Sequence, residues 1–306
     1  MAKSYVLIGI DMETDVGSFT PFYNTTLSGC KKILDIYKKH GVTGTFYFTG
    51  ECAKEVPEAV KAVQEAGCEV GVHSLYHETV GDALFEIPGV KPLLVEEVPL
   101  RVKRAVEWVE EVSGEKAVSW RCPRLWGSTA VCNALEDLGF LSDASYPMYY
   151  YRERFAPYHP SREDWSKVGD MKLVEIPNFA DMVMESNDPG LERDRDQWPL
   201  FRTESAEALY ERIVSYEKFA KEKGIPAVLC FYMHPWEFEP CKATNIFGEG
   251  GTIVDEFIVK GTGDYAAEQF DKLIGMLLAE GDREFVRADD LAKRWDGIEK
   301  EFNANK

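Results

Sequence analysis

An unbroken run of apolar, β-forming residues, Tyr5-Val-Leu-Ile-Gly-Ile10, ends in three alternating carboxylates, Asp11, Glu13 and Asp15. Such a run offers no polar face to water, so it predicts a strand covered on both sides, as in a parallel sheet. Carboxylates directly behind a buried strand are poor for folding, because a buried charge is costly unless something pairs with it. They are well placed for chemistry.

The following segments alternate in kind. Residues 27–40 have helical periodicity, with Asn24 and Thr25 as candidate caps and Gly41 as the stop. Residues 45–49 read as a second strand, 57–66 as a helix and 69–73 as a third strand. A charged amphipathic helix is expected over 98–112, with Pro99 in its first turn and Gly114 beyond its end. Further strands are expected at 118–121, 141–143, 173–177, 227–233 and 284–287, and further helices at 130–138, 205–223, 264–278 and 289–302. Alternation of this kind is the signature of a parallel α/β fold, and with no internal repeat or linker it implies one barrel-like domain over residues 1–306.

Three long irregular connections, 144–172, 178–202 and 237–263, are aromatic and are expected to wall a substrate pocket, with Tyr146 among the residues that touch substrate. The segment 77–97 also reads as loop.

A chain of 306 residues with 45% hydrophobic content can bury a large core. Its net charge of −18 argues against nucleic acid or an anionic membrane as partner, since like charges repel at long range. Neutral or cationic ligands remain, as does homo-oligomerisation. Seven cysteines, Cys30, Cys52, Cys68, Cys122, Cys132, Cys230 and Cys241, show no C-x-x-C spacing and read as small buried hydrophobes in a reducing compartment. Residues 1–4 lead straight into a short apolar run, and no stretch is long enough to span a bilayer. A cytoplasmic enzyme is the expectation.

His73 falls where the third strand should end, and His77 follows four residues later. If the chain turns into a helix there, the two imidazoles share one face, which is chelating geometry. A core histidine beside a surface histidine would look the same. With only five histidines in the chain, this spacing just past a strand shifts the reading toward ligation.

In parallel α/β folds the C-terminal ends of the strands converge on one face. Those ends carry Asp11 and Glu13, His73 and His77, Arg121, Asp143 and His234. Two imidazoles and a carboxylate form a facial set with open positions, the pattern of a catalytic Zn²⁺ or a similar divalent ion such as Co²⁺, Mn²⁺ or Fe²⁺. Such an ion makes water acidic enough to attack a carbonyl near neutral pH, a second carboxylate can take the proton, and another histidine can protonate the leaving group.

These residues carry a resemblance. Asp11-Met12-Glu13, His73-Ser74-Leu75-Tyr76-His77, Arg121-Cys122-Pro123-Arg124, Asp143 and Met233-His234-Pro235-Trp236 occur in the order of the five motifs of the polysaccharide deacetylase family, the NodB-homology domain of carbohydrate esterase family four. The H-[ST]-x-x-H match is the most specific and the last is loose. The resemblance implies a distorted (β/α) barrel of about seven parallel strands, with Asp11 as general base and Glu13, His73 and His77 as metal ligands. It implies Arg121 as the brace of the base, Asp143 as a partner in the charge network and His234 as general acid. Pro123 and Trp236 are candidates to touch substrate, although Trp236 and Glu237 read equally as pocket wall or as packing. The chain departs from the usual pattern in one respect: the family has two adjacent aspartates, whereas here the spacing is D-x-E. Alternate residues of an extended strand share a side, so Glu13 reaches the metal only if the strand persists, and Asp15 competes for the role.

The activity so implied is metal-dependent hydrolysis of a carbon–nitrogen bond in a non-peptide amide, most simply removal of N-acetyl from an amino sugar or polysaccharide. The expected partner is a small-molecule or oligosaccharide substrate carrying an amide. Opening of a cyclic amide or imide is the alternative, and a non-catalytic sugar-binding protein is a third. His40, before Gly41, suits a helix C-terminus, Glu175 a structural hydrogen bond, and His159 a structural loop position.

Overall fold

The computed structural model of the chain describes residues 3–87 and 89–304. Met1 and Ala2 of the N-terminal segment, and Pro88 within the 77–97 loop, lie outside the described residues.

The strands are β1 (Ser4–Met12), β2 (Thr45–Phe48), β3 (Glu69–Val72), β4 (Ser119–Trp120), β5 (Ser142–Asp143), β6 (Val174–Glu175), β7 (Ala227–Met233), the hairpin β8 (Thr244–Phe247) and β9 (Gly250–Ile253), and β10 (Arg283–Phe285). β1 to β6 pair in sequence order, all parallel, and β7 returns to lie along β1 from Ser4↔Ala227 to Ile10↔Met233. Because β7 occupies one whole edge of β1, the other edge is shared. It takes β10 at Ser4–Val6 and β2 at Gly9–Met12. A parallel bridge from Asn178 to Cys230 brings the end of the β6 segment back to β7. The sheet is therefore a distorted (β/α) barrel in which seven strands curl around and β10 is wedged in at the base.

β1 is the axis because nothing along it is exposed, and its side chains alternate between two cores. Val6, Ile8, Ile10 and Met12 face outward under the helices, whereas Leu7 packs inside with Tyr47, Ala144, Val174, Val228 and Cys230. The interior is narrow, and glycines make room in it. A Cβ on Gly71 would lie 2.7 Å from the Tyr47 ring and 2.9 Å from the Ser119 carbonyl oxygen, so the strands approach too closely there for any side chain. At the base, Glu69 accepts from Thr45 Oγ1 at 2.7 Å and from the Asp289 amide at 3.0 Å, tying the C-terminal helix Ala288–Ala304 to the barrel floor.

The helices begin and end where local chemistry dictates. Thr26–His40, Val98–Ser113, Thr129–Leu138 and Ala206–Lys223 each stop at a left-handed glycine, Gly41, Gly114, Gly139 and Gly224. Ser128 and Ser205 cap the last two by accepting from Val131 and Ala208 amides at 3.3 and 3.2 Å.

Some local expectations are corrected. Thr49 does not extend β2: its hydroxyl accepts from the Cys52 amide and caps a short helix, Gly50–Glu55. The 237–263 connection holds the β8–β9 hairpin and a helical turn, Glu256–Val259, and short helices Met148–Tyr151 and Leu200–Thr203 lie in the other two connections. All are too short to show a period. No helix among the described residues is long and apolar enough to cross a membrane.

Candidate active site

Asp11 and Glu13 sit two apart at the end of β1, and extended backbone turns both inward, onto the side where Gly9 precedes them. Beyond β1, Asp15 turns away. It accepts from the Thr25 hydroxyl at 2.7 Å and from the Thr25 amide, so it fastens its own loop. Glu13, not Asp15, is the carboxylate that reaches the histidines.

His73 leaves β3, and the segment that follows is not a helix. Ser74 and His77 both adopt left-handed backbone, with φ of 65° and 59°, and this tight loop brings the two imidazole rings to 5.1 Å. The chelating arrangement is reached by a turn instead of by helical spacing. His73 Nδ1 lies 2.8 Å from the Arg121 carbonyl; a carbonyl only accepts, so Nδ1 carries the proton and Nε2 is left with its lone pair. That Nε2 is 3.6 Å from Glu13 Oε2, and His77 Nε2 is in contact with the same oxygen.

Among the described residues, buried Glu13 Oε2 accepts no hydrogen bond and buried His77 Nδ1 has no partner. One atom from each of Glu13, His73 and His77 lies within 4.8 Å of the others. A buried carboxylate oxygen without a donor is expensive unless a cation satisfies it, so these three residues fit a divalent metal by the donor set they present. Burial alone would raise the Glu13 carboxyl, but the His77 charge and the His73 and His77 contacts prevail and hold it well below its ordinary value. Burial keeps the His77 pKa low against the pull of Glu13, which favours the neutral, ligating form.

Arg121 stands beneath this group, fully buried. Nη1 donates to Asp11 Oδ1 at 2.9 Å, Nε to the Ala144 carbonyl at 3.1 Å and Nη2 to the Phe231 carbonyl at 3.1 Å, while the guanidinium lies 4.4 Å above the Tyr47 ring. Asp11 Oδ2 faces the other way, 3.9 Å from His73 Nε2.

His234 arrives from the end of β7. Its Nδ1 and its backbone amide both lie 2.9 Å from Glu237 Oε1, so Nδ1 donates and Nε2 points inward, 3.8 Å from Glu13 Oε1. Trp236 stacks behind the ring at 5.4 Å. Glu237 also accepts from Trp198 Nε1 at 2.9 Å and pairs with buried Arg202. Burial would raise the Glu237 carboxyl, but the Arg202 charge and the His234 bond bring it down to about 2. In the other direction, burial would lower the His234 pKa, but Glu237 and the Glu13 charge raise it.

These groups floor a cavity of about 530 Å³. Phe19, Phe85, Leu125 and Trp198 wall it, and Arg124, Tyr149, Arg193 and Asp196 add polar groups. Four expected residues lie elsewhere. Asp143 faces outward under the helix Thr129–Leu138, bonded to the Ser145 hydroxyl and to Cys132 Sγ at 3.8 Å, because Ser142 and Ala144 take the inward positions of β5. It touches the site only indirectly, through Ser145 Oγ, which accepts from the amide of Cys122 next to Arg121. Tyr146 is buried in a ring cluster, stacked 4.8 Å from Tyr151. Pro123 and Trp236 are buried behind the wall, and their neighbours Arg124 and His234 line it instead. His40 and His159 are tied to Asp271 and Asp296, away from the cavity.

Sequence reasoning assigned no role to Glu237 and missed Arg124, Arg193 and Trp198. Arg124 follows the R-x-P signal by one residue and was within reach, but the other two sit in a connection with no period.

The family model for polysaccharide deacetylases matches residues 19–142, a span that includes His73, His77 and Arg121 and leaves Asp11, Glu13 and His234 outside it. A putative polysaccharide deacetylase of Schizosaccharomyces pombe is 30% identical over 171 residues, 50% of each protein. The chain thus spans about half the length of that curated relative. Among solved structures, a putative polysaccharide deacetylase from Mycobacterium smegmatis superposes with a TM-score of 0.62 at 18% identity, covering 96% of this chain and 90% of that one. An allantoinase superposes with a TM-score of 0.59 at 15% identity, covering 96% and 90%. Those two likenesses are of fold, and the sequence match to the polysaccharide deacetylase family covers residues 19–142.

Proposed function

We propose that the chain is a single catalytic domain that hydrolyses the C–N bond of a non-peptide amide with the help of a divalent metal, zinc first among the candidates, and that its substrate is an N-acetylated amino sugar. One observation carries this: Glu13 Oε2, with no hydrogen bond of its own, meets two imidazoles beside a carboxylate and a third imidazole that are each fixed from behind. A divalent ion held by Glu13, His73 and His77 would polarise the acyl oxygen and acidify the attacking water.

The chain's own groups do the rest. Arg121 holds Asp11 by Oδ1 and leaves Oδ2 toward the cavity, so Asp11 is oriented to take the water proton. His234 keeps its Nδ1 proton on Glu237, and its raised pKa favours a second proton at Nε2, which it gives to the departing nitrogen. The products are the free amine and a carboxylate.

A second reading, opening of a cyclic amide, is favoured by the apolar wall of Phe19, Phe85, Ile87, Val90 and Leu125 around a cavity of about 530 Å³, a size suited to a small ring. An inactive sugar binder is disfavoured, since it has no use for base, ligands and acid together. The test is incubation of the purified protein, loaded in turn with Zn²⁺, Co²⁺, Mn²⁺ and Fe²⁺, with N-acetylglucosamine, its oligomers, succinimide and hydantoin. Acetate release from a sugar upholds the main reading. Ring opening without acetate release moves the assignment to the second, and no turnover with any metal overturns both.

A further inference from the structure

We propose that Arg124 and Arg193 form a carboxylate-binding subsite in the cavity, so that the amide substrate carries an anionic group; this rests on the amide-hydrolase reading of the site.

Both guanidiniums line the cavity, and neither makes an ion pair among the described residues. Arg124 is half-buried and bonds only through Nη1, to the His77 carbonyl at 3.3 Å and Thr79 Oγ1 at 3.4 Å, both long. Its Nε and Nη2 donate to no described residue. The Arg193 guanidinium makes no hydrogen bond to a described residue at all. The two are backed by one aromatic ladder: Arg193 lies 5.2 Å over Phe85, Phe85 meets Trp126 edge to face at 5.1 Å, and Arg124 lies 5.9 Å over Trp126.

The surrounding acids and cations take their direct contacts from groups other than these two arginines. Asp11 pairs with Arg121 and Glu13 meets the imidazoles, while Asp196, whose hydrogen bonds come from the Tyr232 hydroxyl and the Trp198 amide, feels the Arg193 charge without forming an ion pair with it. Arg202 and Arg195, close by, hold Glu237 and Glu192. A chain with a net charge of −18 has ample acid to neutralise two more arginines, yet here it leaves them unpaired in a concave, aromatic-backed wall. The planar fork of arginine matches a carboxylate in shape as well as charge.

Backbone strain points the same way. Arg124 and Leu125 are consecutive left-handed residues, with φ of 61° and 59°, and Ser18 and His77, also on the cavity, have φ of 64° and 59°. Side-chain-bearing residues stay in that region only where the surroundings hold them, and such positions gather at ligand sites. The strain at Arg124 presents it to the cavity.

The probes are N-acetyl-β-alanine and its neutral primary amide, titrated calorimetrically into the purified protein with and without added Zn²⁺. The wild type should bind the carboxylate about tenfold or more tighter than the amide, the worth of a charge-assisted hydrogen bond. Arg193→Ala and Arg124→Ala should each bring that ratio below about threefold, and Arg193→Lys, which keeps the charge but loses the fork, should retain part of it. Arg193 is exposed, so its variants leave folding unaffected. A ratio near one in the wild type, or an unchanged ratio in both alanine variants, overturns the subsite. Acetate release from N-acetyl-β-alanine and from neutral N-acetylglucosamine, followed in parallel, separates the two claims. A preference that responds to the arginines without any amide hydrolysis sinks the catalytic reading alone, and hydrolysis without the preference sinks the subsite alone.

Discussion

Arg121 Nη1 lies 2.9 Å from Asp11 Oδ1 with both side chains buried, and the other donors of the guanidinium go to the main-chain oxygens of Ala144 and Phe231. One cation thus fixes the carboxylate of β1 to the strand ends of β5 and β7. Truncating it leaves a buried carboxylate without its cation and two carbonyls without donors. Arg121→Met should lower stability by about 3–5 kcal/mol, the usual cost of breaking one side of a buried pair. Urea unfolding followed by circular dichroism measures it; a loss under about 1 kcal/mol contradicts the bracing role.

Gly9 makes that brace possible. A Cβ there would intrude on the guanidinium, 2.6 Å from its central carbon, and the guanidinium is pinned and unable to swing aside. Gly9→Ala should cost about 1–3 kcal/mol as an overpacked core position and reduce kcat by at least about tenfold through the displaced Asp11. Stability and kcat measured on the same preparation decide it, and a variant with native kcat shows that Arg121 does not position the base.

A general acid must be protonated to act, so turnover falls as pH rises through its pKa. Burial would lower the His234 pKa, and Glu237 is the leading group that raises it. Glu237→Gln removes that charge, so the alkaline limb of the kcat/KM profile should move to lower pH. A limb that stays in place assigns the acid to another group.

Much of this was legible because the strands are short, buried and followed at once by chemistry. The period of two through Gly9, Asp11 and Glu13, and the strand ends at His73, Arg121 and His234, are local signals that survive folding unchanged. Asp143 was different. A strand of two residues has no alternation to read, and only its register with β4 and β6 decides which side chain turns inward. The His73–His77 loop misled for a related reason: two left-handed residues replace the helix that i, i+4 spacing suggests. Arg124, Arg193 and Trp198 reach the cavity through irregular backbone, where position depends on distant contacts such as the Trp198–Glu237 bond, which sequence spacing does not encode.

The outward-facing pair Asp143 and Glu175 yields a prediction about stability instead of chemistry. Burial pushes Asp143 up to about 6, and burial with the Asp143 charge pushes Glu175 well above its ordinary value, which favours the protonated form of Glu175. A carboxyl whose folded pKa is raised contributes stability below its unfolded pKa, and that contribution is lost as pH rises toward the folded value. Glu175→Gln, which keeps the neutral form, should flatten the decline in stability above about pH 4.3, the unfolded glutamate pKa, and leave kcat within about threefold. Denaturation midpoints across pH test the slope, and a decline in the variant as steep as in the wild type, or steeper, contradicts the raised Glu175 pKa.

The division of labour between Asp11 and Glu13 is the centre of the account, and metal content of the two isosteric variants tests it most directly. After incubation with Zn²⁺ and removal of free ion, elemental analysis of wild type and Asp11→Asn should each show one equivalent per chain, with turnover in Asp11→Asn down by about a hundredfold or more. Glu13→Gln should retain little or no metal. An Asp11→Asn protein that loses its zinc, or a Glu13→Gln protein that keeps a full equivalent, would contradict it.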